Sequence, residues 1–302
     1  MKQILIISGK GGTGKTVVTA SFAVLAKNKV MVDADVDAAN LYLLLDPEIK
    51  STNAYIGSKS AFIDEEKCIG CGKCEQICRF DAISPVRDKT PKVSDSCLEQ
   101  PISNGVYYID KFACEGCGAC RVVCPKDAVT LNEEETGKWF VSDTKYGPFV
   151  HAKLGIAQEN SGKLVSVIRE KAKVLAIEKN ADYIIIDGPP GIGCPVIASL
   201  NGIDMAIVVT EPSLSGIHDM QRVIGVAQHF GVDTKVIINK YDINLENTNA
   251  IKEICKDNKV EVLGQLPFSD KVPQAIVKGV PIIEFCNDQI AQDIINVWEQ
   301  IK

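Results

Sequence analysis

One stretch decides the fold of this chain: Gly9-Lys10-Gly11-Gly12-Thr13-Gly14-Lys15-Thr16. It follows the apolar run Ile4–Ile7 and precedes a helix-like segment from Lys15 to about Lys27. A strand, a glycine loop and a helix in this order predict a phosphate-binding P-loop, in which Lys15 reaches the β- and γ-phosphates and Thr16 binds Mg²⁺. The glycines let backbone amides close around phosphate oxygens, and the positive end of the helix adds to the attraction. The alternative is a tight strand-to-helix turn that binds nothing, and the match of both the glycine pattern and its flanks disfavours it.

Lys10 adds a second lysine at a position where an ordinary P-loop needs none. The run from Lys10 to Thr16 therefore resembles the deviant Walker A ATPases, the group that contains MinD, ParA, the Mrp-type cluster carriers and the nitrogenase iron protein. In those families the early lysine crosses a dimer interface to the nucleotide held by the other subunit. The resemblance implies a slow, Mg²⁺-dependent ATPase that forms an ATP-dependent homodimer, with Gly9, Gly11, Gly12, Thr13 and Gly14 around the nucleotide.

Composition excludes several classes of function. The 302 residues suggest about two domains, with 46% apolar and 24% charged residues as in ordinary globular proteins. The net charge of −6 argues against nucleic-acid binding. We see neither a signal peptide nor an apolar run near the roughly 18 residues of a membrane span, and the last helix, Asn287 to Lys302, lacks a basic face. We therefore expect a cytoplasmic protein that binds neither nucleic acid nor membrane.

Apolar strands alternate with amphipathic helices, which predicts a doubly wound, mostly parallel α/β sheet. A second domain interrupts this pattern. We expect residues 1–57 and 136–302 to form a discontinuous P-loop ATPase domain and residues 58–135 to form an insert of short strands and turns. The segments predicted outside the insert are a helix at Ala38–Leu45, a hairpin at Lys138–Leu154, a helix at Ser161–Lys179, strands at Tyr183–Asp187, Met205–Thr210, Lys235–Asn239 and near Val260–Leu266, and two C-terminal helices.

Eight of the twelve cysteines form one regular arrangement inside the insert. Two copies of the spacing Cys-x₂-Cys-x₂-Cys-x₃-Cys match the run of bacterial two-cluster ferredoxins, in which the fourth cysteine of each copy ligates the cluster of the other. A zinc ribbon, with two separated Cys-x₂-Cys pairs, does not explain this repeat. The insert is thus predicted to be an α+β ferredoxin-like domain with two 4Fe–4S clusters, one held by Cys68, Cys71, Cys74 and Cys124, the other by Cys114, Cys117, Cys120 and Cys78.

The remaining cysteines and one substitution depart from this pattern. Arg79 replaces the proline expected after Cys78, whereas Pro125 is present in the second copy. Cys97 lies in the connector and is interpreted as a free structural thiol. Cys194 stands seven residues after Asp187, where the nitrogenase iron protein carries a cluster cysteine, but the upstream partner is missing, so we expect a buried structural cysteine. Cys255 and Cys286 are predicted to lie in the core.

Other residues would complete the nucleotide site. Asp187 ends a predicted buried strand and is the candidate to hold a Mg²⁺-bound water. The resemblance implies that Gly191 belongs to the loop that senses the γ-phosphate and that Asp35 orients the attacking water, with Asp33 and Asp37 as alternatives. It also implies adenine contacts from Asn239, Pro267 and Phe268.

Three functions compete at this level. The leading hypothesis is a homodimeric ATPase that couples its nucleotide state to electron transfer through two 4Fe–4S clusters, with a redox partner that the sequence does not identify. The second is an ATP-dependent factor that assembles or carries Fe–S or heterometal cofactors to a client. The weakest hypothesis is spatial positioning in the manner of MinD or ParA, because neither a basic helix nor a basic surface is predicted.

Overall fold

The computed structural model describes residues 1–85, 106–155 and 161–302, so that Cys97 lies outside the described residues. The chain divides into two compact units. The large unit contains Met1–Tyr55, Gly137–Gly155 and the C-terminal part of the chain from residue 161 onward, and the small unit contains the described residues of Ile56–Thr136. The structural divisions at 55/56 and 136/137 lie beside the expected ones at 57/58 and 135/136.

The described strands and helices follow one another along the chain. The strands are β1 (Lys2–Ser8), β2 (Lys29–Asp33), β3 (Glu48–Ile63), β4 (Ile83–Pro85), β5 (Tyr107–Ile109), β6 (Val129–Thr144), β7 (Gly147–Leu154), β8 (Tyr183–Pro190), β9 (Met205–Thr210), β10 (Asp233–Asn239) and β11 (Glu261–Leu266). The helices are α1 (Lys15–Leu25), α2 (Tyr42–Leu45), α3 (Lys73–Ile77), α4 (Ala119–Val123), α5 (Ser161–Glu178), α6 (Cys194–Leu200), α7 (Leu214–His229), α8 (Leu245–Asp257), α9 (Lys271–Val277), α10 (Ile282–Phe285) and α11 (Gln289–Ile301).

The central sheet has the strand order β11-β10-β9-β1-β8-β2-β7-β6-β3. The pairs from β11 to β7 are parallel, and β6 pairs antiparallel with β7, as the predicted hairpin requires. Because parallel strands share one carboxyl edge, this order brings the ends of β1, β2, β8, β9 and β10 together. The predicted doubly wound α/β fold is confirmed.

Each face of the sheet carries its own apolar core, which follows from the alternation of side chains along a strand. Leu5 and Ile7 of β1 point to one face, where they belong to a cluster with residues of α5 and α7. Ile4 and Ile6 point to the other face, where α1 and α11 contribute Phe22 and other large side chains. Nearly continuous apolar strands are therefore buried on both sides.

Three local predictions need correction. Only Tyr42–Leu45 of the segment predicted as a helix at Ala38–Leu45 is helical, because the amide of Leu41 donates to Asp33 Oδ2 (3.1 Å) and ties the preceding chain to the end of β2. The C-terminal region has three helices instead of two, since Gly279, with φ of 68°, and Pro281 interrupt it. The strands bounding the insert are also longer than expected, with β3 and β6 running 16 residues each.

The small unit has a separate arrangement. β4 and β5 pair antiparallel, and two five-residue helices, α3 and α4, follow Gly72 and Gly118 in the left-handed region. Its small apolar core contains Ala61, Ile63, Ile83 and Val129, with cysteines of both motifs packed against it. In neither unit does a described helix combine the length and apolarity needed to cross a bilayer.

Candidate functional site

The glycine loop between β1 and α1 is open for an anionic ligand. Gly12 and Gly14 have φ of 79° and 95°, a conformation that side chains with a Cβ rarely adopt. In the described part of the chain the backbone amides from Gly11 to Thr16 donate no hydrogen bond, and the buried Thr13 hydroxyl has no partner. Such a set of unpaired donors is the expected cradle for phosphate oxygens. Gly9 allows close packing of α7, because a Cβ there would lie 2.4 Å from Asp219 Cβ.

A cavity of about 670 Å³ extends from this loop. Its wall includes Lys15 and Thr16 of the loop and Asp35 from the end of β2. Asn239 and a loop after β11, Pro267–Phe268, also line it. The predicted phosphate and base residues therefore line one continuous space of a size that accommodates a nucleotide.

A buried acidic cluster surrounds Lys15 at the carboxyl edge of the sheet. Lys15 Nζ lies 3.1 Å from Asp187 Oδ1 and 3.4 Å from Asp35 Oδ2. Thr16 Oγ1 donates to Asp187 Oδ2 (2.7 Å), and Thr19 Oγ1 donates to Asp187 Oδ1 (3.0 Å). Asp187 is thus fixed by three contacts from α1, and the two residues predicted to hold Mg²⁺ are in direct contact.

The charges of this cluster shift its pKa values. Burial lowers the pKa of Lys15, but the charges of Asp187, Asp35 and Asp33 outweigh this and raise it above its ordinary value. Burial raises the pKa of Asp35, with the charge of Lys15 acting in the opposite direction. Burial, followed by the charge of Asp187, raises the pKa of Asp33 to about 8. Lys15 is therefore held fully charged among its acidic neighbours.

The three candidate aspartates differ in their contacts. Asp35 faces the cavity and Lys15, whereas Asp33 is fully buried and accepts hydrogen bonds from the amides of Asp35 and Leu41 (both 3.1 Å). Asp37 is exposed. Of the three, Asp35 is therefore the carboxylate that lines the cavity, and Asp33 supports the turn that carries it.

Gly191 and Asn239 also lie next to the glycine loop. The amide of Gly191 donates to Ser8 O (2.8 Å), which attaches the loop after β8 to the end of β1. Asn239 Nδ2 donates to Thr13 O (2.7 Å). Within the described residues no group of three or more His, Cys, Asp or Glu side chains could hold a metal ion. Mg²⁺ commonly needs only one or two protein ligands beside phosphate and water, so Thr16 and Asp187 fit such an ion.

Lys10 points away from the cavity and is bound within its own chain. Its Nζ lies 2.7 Å from Glu211 Oε1 and donates to Ser213 Oγ (3.0 Å) and Ser215 Oγ (2.9 Å). Glu211 Oε2 lies 2.9 Å from Lys240 Nζ, so that one carboxylate binds two lysines. Burial alone would raise the pKa of Glu211, but the hydrogen bonds from Lys10 and Lys240 lower it.

Sequence reasoning missed these partners of Lys10. Glu211 immediately follows β9, whose end was predicted correctly at Thr210. A charged residue directly after a strand that ends at the carboxyl edge could have identified Glu211 as a candidate partner. The serines could not be recognised in the same way, because Ser213 reads as an ordinary N-cap of α7 and does cap it.

The cysteines of the small unit line two cavities. One is lined by Cys68, Cys71 and Cys74 of the first motif together with Cys124 of the second. The other is lined by Cys114, Cys117 and Cys120 of the second motif together with Cys78 of the first. Each cavity therefore contains the four thiols that the spacing predicted for one cluster.

The backbone around these thiols turns sharply and donates hydrogen bonds to two of them. Four glycines lie between the cysteines of the two motifs, and all have positive φ: Gly70 (69°), Gly72 (71°), Gly116 (61°) and Gly118 (79°). The amide of Ala61 donates to Cys114 Sγ (3.4 Å), and that of Ala128 donates to Cys124 Sγ (3.3 Å). Amide hydrogen bonds to sulfur stabilise negative charge there. Tyr107, which the sequence analysis did not single out, lines the first cavity, and Phe80 lines the second.

The predictions for the described cysteines outside the two motifs are only partly correct. Cys255 is buried in the core as predicted, and Cys286 packs partly buried against a core cluster. Cys194 is exposed, which contradicts the expected buried cysteine. Its place at the start of α6, directly after the loop of Gly191, keeps it at the surface.

Comparisons with known proteins agree with this site. The family model for the CobQ/CobB/MinD/ParA nucleotide binding domain matches residues 4–282. An uncharacterized protein of Methanocaldococcus jannaschii is 31% identical over 303 residues, covering 99% of this chain and 96% of that protein. The septum site-determining protein MinD of Thermotoga maritima is 28% identical over 155 residues, covering 49% of this chain and 57% of MinD.

A solved structure shows the same fold at low identity. MinD of Pyrococcus horikoshii, complexed with Mg-ADP, superposes with a TM-score of 0.60 at 19% identity, covering 100% of this chain and 96% of that one. Because the family model spans most of the sequence and includes the glycine loop, the chain belongs to the CobQ/CobB/MinD/ParA nucleotide-binding domain family.

Proposed function

We propose that this protein is a Mg²⁺-dependent ATPase in which ATP closes a homodimer, and that its small unit carries two 4Fe–4S clusters for electron transfer. The iron–sulfur part rests on one observation. Each of two cavities is lined by three cysteines of one motif and the last cysteine of the other. This exchange of the fourth ligand is typical of two-cluster ferredoxins and is not expected of cysteines that only fill a core.

The nucleotide part rests on the residues around Lys15. In this proposal the amides from Gly11 to Thr16 bind the phosphates, and Lys15 turns from its carboxylate partners toward the β- and γ-phosphates. Thr16 and Asp187 hold Mg²⁺, directly and through water. Asp35, released from Lys15, orients the attacking water. Hydrolysis is expected to be slow, because a single carboxylate that only positions water gives modest acceleration.

Lys10 is the residue proposed to act in the partner subunit. Its present contacts with Glu211, Ser213 and Ser215 must break before it can reach another molecule. The bonds are partly exposed, with side-chain exposures of 29% for Lys10 and 20% for Glu211, so their loss costs about 1 kcal/mol or less. Phosphate charge in a closing dimer can offset a cost of this size.

The small unit is proposed to hold its clusters through the eight motif cysteines. A bound 4Fe–4S cluster supplies one-electron storage, and the hydrogen bonds from Ala61 and Ala128 to cysteine sulfur stabilise the added charge. The absence of a single-ion site among the described residues is compatible with this assignment, because the four thiols of a set each ligate a different iron.

A positioning ATPase is the second candidate, and the comparisons favour it over electron transfer. The relatives with a named role include septum site-determining MinD proteins. This likeness accounts for the nucleotide site but not for the cysteine cavities. The third candidate is a carrier that delivers Fe–S or heterometal cofactors to a client. It would use the same cavities, but the cofactor itself, and not an electron, would pass to the partner.

Anaerobic purification with iron and sulfide analysis, followed by EPR with and without MgATP, tests the proposal. We expect about eight irons per chain and an EPR signal or midpoint potential that changes with nucleotide. Iron-free protein that still hydrolyses ATP would favour a positioning ATPase. Reconstituted protein is then incubated with an apo-ferredoxin acceptor and MgATP, where a gain of cluster signal by the acceptor would favour the carrier over the redox protein.

A further inference from the structure

The turn after β10 contacts two loops that line the nucleotide cavity, the glycine loop and the loop after β11. Asn239 Nδ2 donates to Thr13 O (2.7 Å), and Lys240 Nζ lies 3.4 Å from Gly12 O, so two successive side chains contact the glycine loop. Lys240 has φ of 54°, which reverses the chain into a short 3₁₀ turn, Tyr241–Ile243. Asp242 Oδ1 in this turn accepts a hydrogen bond from the amide of Phe268 (2.7 Å).

This arrangement places the Asp242 carboxylate beside Pro267 and Phe268, which are predicted to contact the base of the nucleotide. Pro267 and Phe268 line the cavity, and Asp242, which is not itself among the lining residues, accepts its hydrogen bond directly behind them from the Phe268 amide. Asp242 is exposed, and its second oxygen, Oδ2, has no hydrogen-bond partner within the described residues. The hydrogen bond from Phe268 uses one lone pair of Oδ1, so the second lone pair of Oδ1 and both lone pairs of Oδ2 remain available to a ligand.

The orientation of Asn239 is also fixed. Its Nδ2 is bound to Thr13 O, and its Oδ1 accepts from the amide of Lys240 (3.0 Å). A Cβ on Gly14 would lie 2.3 Å from Nδ2, so the amide packs tightly against the glycine loop. Asn239 therefore positions the turn that carries Asp242 against the glycine loop.

The chemistry of a carboxylate discriminates between the two purines. An ionised carboxylate only accepts hydrogen bonds. The pairing edge of guanine presents two adjacent donors, N1–H and the N2 amino group, whereas adenine presents an unprotonated N1 at the corresponding place. A carboxylate thus makes two charge-assisted bonds with guanine and faces a lone pair of adenine.

We propose that Asp242 recognises guanine at this site, so that GDP and GTP bind at least as tightly as ADP and ATP. The inference rests on the proposed nucleotide-binding function and names a second class of nucleotide for the same cavity. Sites built to bond a donor typically discriminate strongly against an analogue that lacks it. We expect the effect of Asp242 to be confined to the base and to leave the phosphate contacts of Lys15 and Thr16 unchanged.

The test compares dissociation constants of fluorescent GDP and ADP analogues, with unlabelled nucleotides as competitors, for wild type and Asp242→Asn. The amide keeps an oxygen for the Phe268 amide, so the loop should stay folded. For wild type we expect GDP to bind at least as well as ADP. In Asp242→Asn, GDP binding should weaken about 10-fold or more and ADP binding should be unchanged.

Xanthosine diphosphate sharpens this test. Its C2 carbonyl replaces the amino group of guanine, so the NH₂ group of Asn at position 242 can donate where the carboxylate could only repel. We therefore expect Asp242→Asn to gain affinity for xanthosine diphosphate while it loses affinity for GDP. The matched control is Asp257→Asn, the same change at an exposed position at the end of α8, which should alter no affinity.

Each alternative outcome is distinct. Tight ADP binding with no measurable GDP binding by wild type would overturn the guanine inference and leave the nucleotide-binding function intact. An equal loss of ADP and GDP affinity in Asp242→Asn would show that Asp242 only anchors the Phe268 loop. Binding of neither nucleotide by wild type would overturn the proposed function together with this inference.

Discussion

Lys15 neutralises a buried acidic cluster as well as offering a charge to phosphate. Its ammonium group contacts Asp187 and Asp35, whose side chains are only 1% and 12% exposed. Removing one partner of a buried ion pair costs about 3–5 kcal/mol, because a charge is left without compensation. We therefore predict that Lys15→Ala lowers the free energy of unfolding in urea at pH 7 by this amount and abolishes nucleotide binding.

The loss of stability in Lys15→Ala should depend on pH. Without Lys15 the carboxylates repel one another more strongly, so their protonation in the folded state becomes easier as the pH falls. The difference from wild type should therefore shrink in acid. Lys27→Ala, at an exposed position beyond α1, is the control and should change neither property. Equal stability of Lys15→Ala and wild type at pH 7 would contradict this account of the cluster.

Glu211 is predicted to restrain Lys10 in the monomer. Glu211→Gln keeps the shape of the side chain and removes the charge that binds both Lys10 and Lys240. Because partly exposed ion pairs contribute up to about 1 kcal/mol, dimerisation should need about 2- to 5-fold less ATP. Size-exclusion chromatography with light scattering over an ATP titration measures this midpoint.

The controls for Glu211→Gln separate restraint from damage to the site. Ser215→Ala removes one hydrogen bond from the Lys10 ammonium to an uncharged hydroxyl and leaves the carboxylate of Glu211 in place, so it should shift the midpoint less. Lys10→Ala should retain ATP binding but lose dimerisation and turnover. If Glu211→Gln needed more ATP for dimerisation than wild type, Glu211 would support closure of the dimer. The prediction that Glu211 restrains Lys10 would then be wrong.

The contacts of Lys10 show where prediction from sequence stops. The strand ends at Thr210 and Asn239 followed from apolar runs, whereas β8 continues past the predicted end at Asp187 to Pro190. These strands determine which residues reach the carboxyl edge. The partners of Lys10 lie more than 200 positions away along the chain. A run of apolar residues predicts the strand that it forms. Whether Lys10 contacts Glu211 or a partner subunit depends instead on how the glycine loop packs against the loop after β9.

At the scale of elements, the β6–β7 hairpin contains a buried histidine. His151 stacks near Phe140 and Phe149, with ring centroids 4.9 and 4.6 Å away, and its Nε2 lies 3.4 Å from Ser142 Oγ. Burial lowers the pKa of His151 to about 4. The unfolded chain, with an ordinary histidine pKa of about 6.5, therefore binds a proton more readily than the folded chain.

This difference predicts an acid-sensitive hairpin. The folded state loses stability as the pH falls below about 6.5, and the loss is complete near the folded pKa, with about 2 kcal/mol lost by pH 5. Urea midpoints from pH 8 to pH 5 should show a smaller loss in His151→Gln than in wild type. His218→Gln, whose side chain is 71% exposed, should behave like wild type. Parallel pH profiles for all three proteins would be inconsistent with a buried neutral His151.

The last helix, α11, contributes one large side chain to the core. Trp298 is 4% exposed and lies between Phe22 and Tyr183, at centroid distances of 5.2 and 5.5 Å. Large-to-small changes of buried aromatic residues cost about 3–5 kcal/mol. We predict such a loss for Trp298→Ala in urea unfolding, against less than about 0.5 kcal/mol for Asn296→Ala on the exposed side of the same helix. Equal effects would contradict a core role for α11.

Helix α11 could be predicted because its pattern is regular over many turns. Ile290, Ile294 and Val297 recur at helical spacing and are buried, together with Trp298 and Ile301. The segment at residues 38–45 was misjudged because its periodicity is short, and one hydrogen bond from Leu41 to Asp33 outweighs it. Short segments next to a functional turn follow tertiary contacts more than local preference.

At the scale of the whole molecule, the sequence predicts more about each unit than about their cooperation. Spacing within each cysteine motif indicates four ligands, and the pairing of Cys124 with the first motif requires two copies to fold around each other. The residues 86–105 between the copies lie outside the described chain. The proposed coupling between nucleotide and clusters would need motions that neither composition nor strand order predicts.

The exchange of the fourth cysteine gives the final prediction. If Cys124 belongs to the first cavity, Cys124→Ala should impair the cluster of the first motif, although Cys124 lies in the second motif along the sequence. Anaerobically purified Cys124→Ala should therefore contain about four irons per chain instead of about eight, and the remaining EPR signal should match that of Cys68→Ala.

Two comparisons make this prediction specific to the exchanged pairing. Cys120→Ala removes a ligand from the second cavity, so its remaining signal should instead match that of Cys78→Ala. Cys286→Ser, outside both cavities, should keep the full iron content. A remaining signal in Cys124→Ala that matches Cys120→Ala would mean that each motif holds its own cluster. The two motifs would then fold independently, and the lining of both cavities would not reflect ligation.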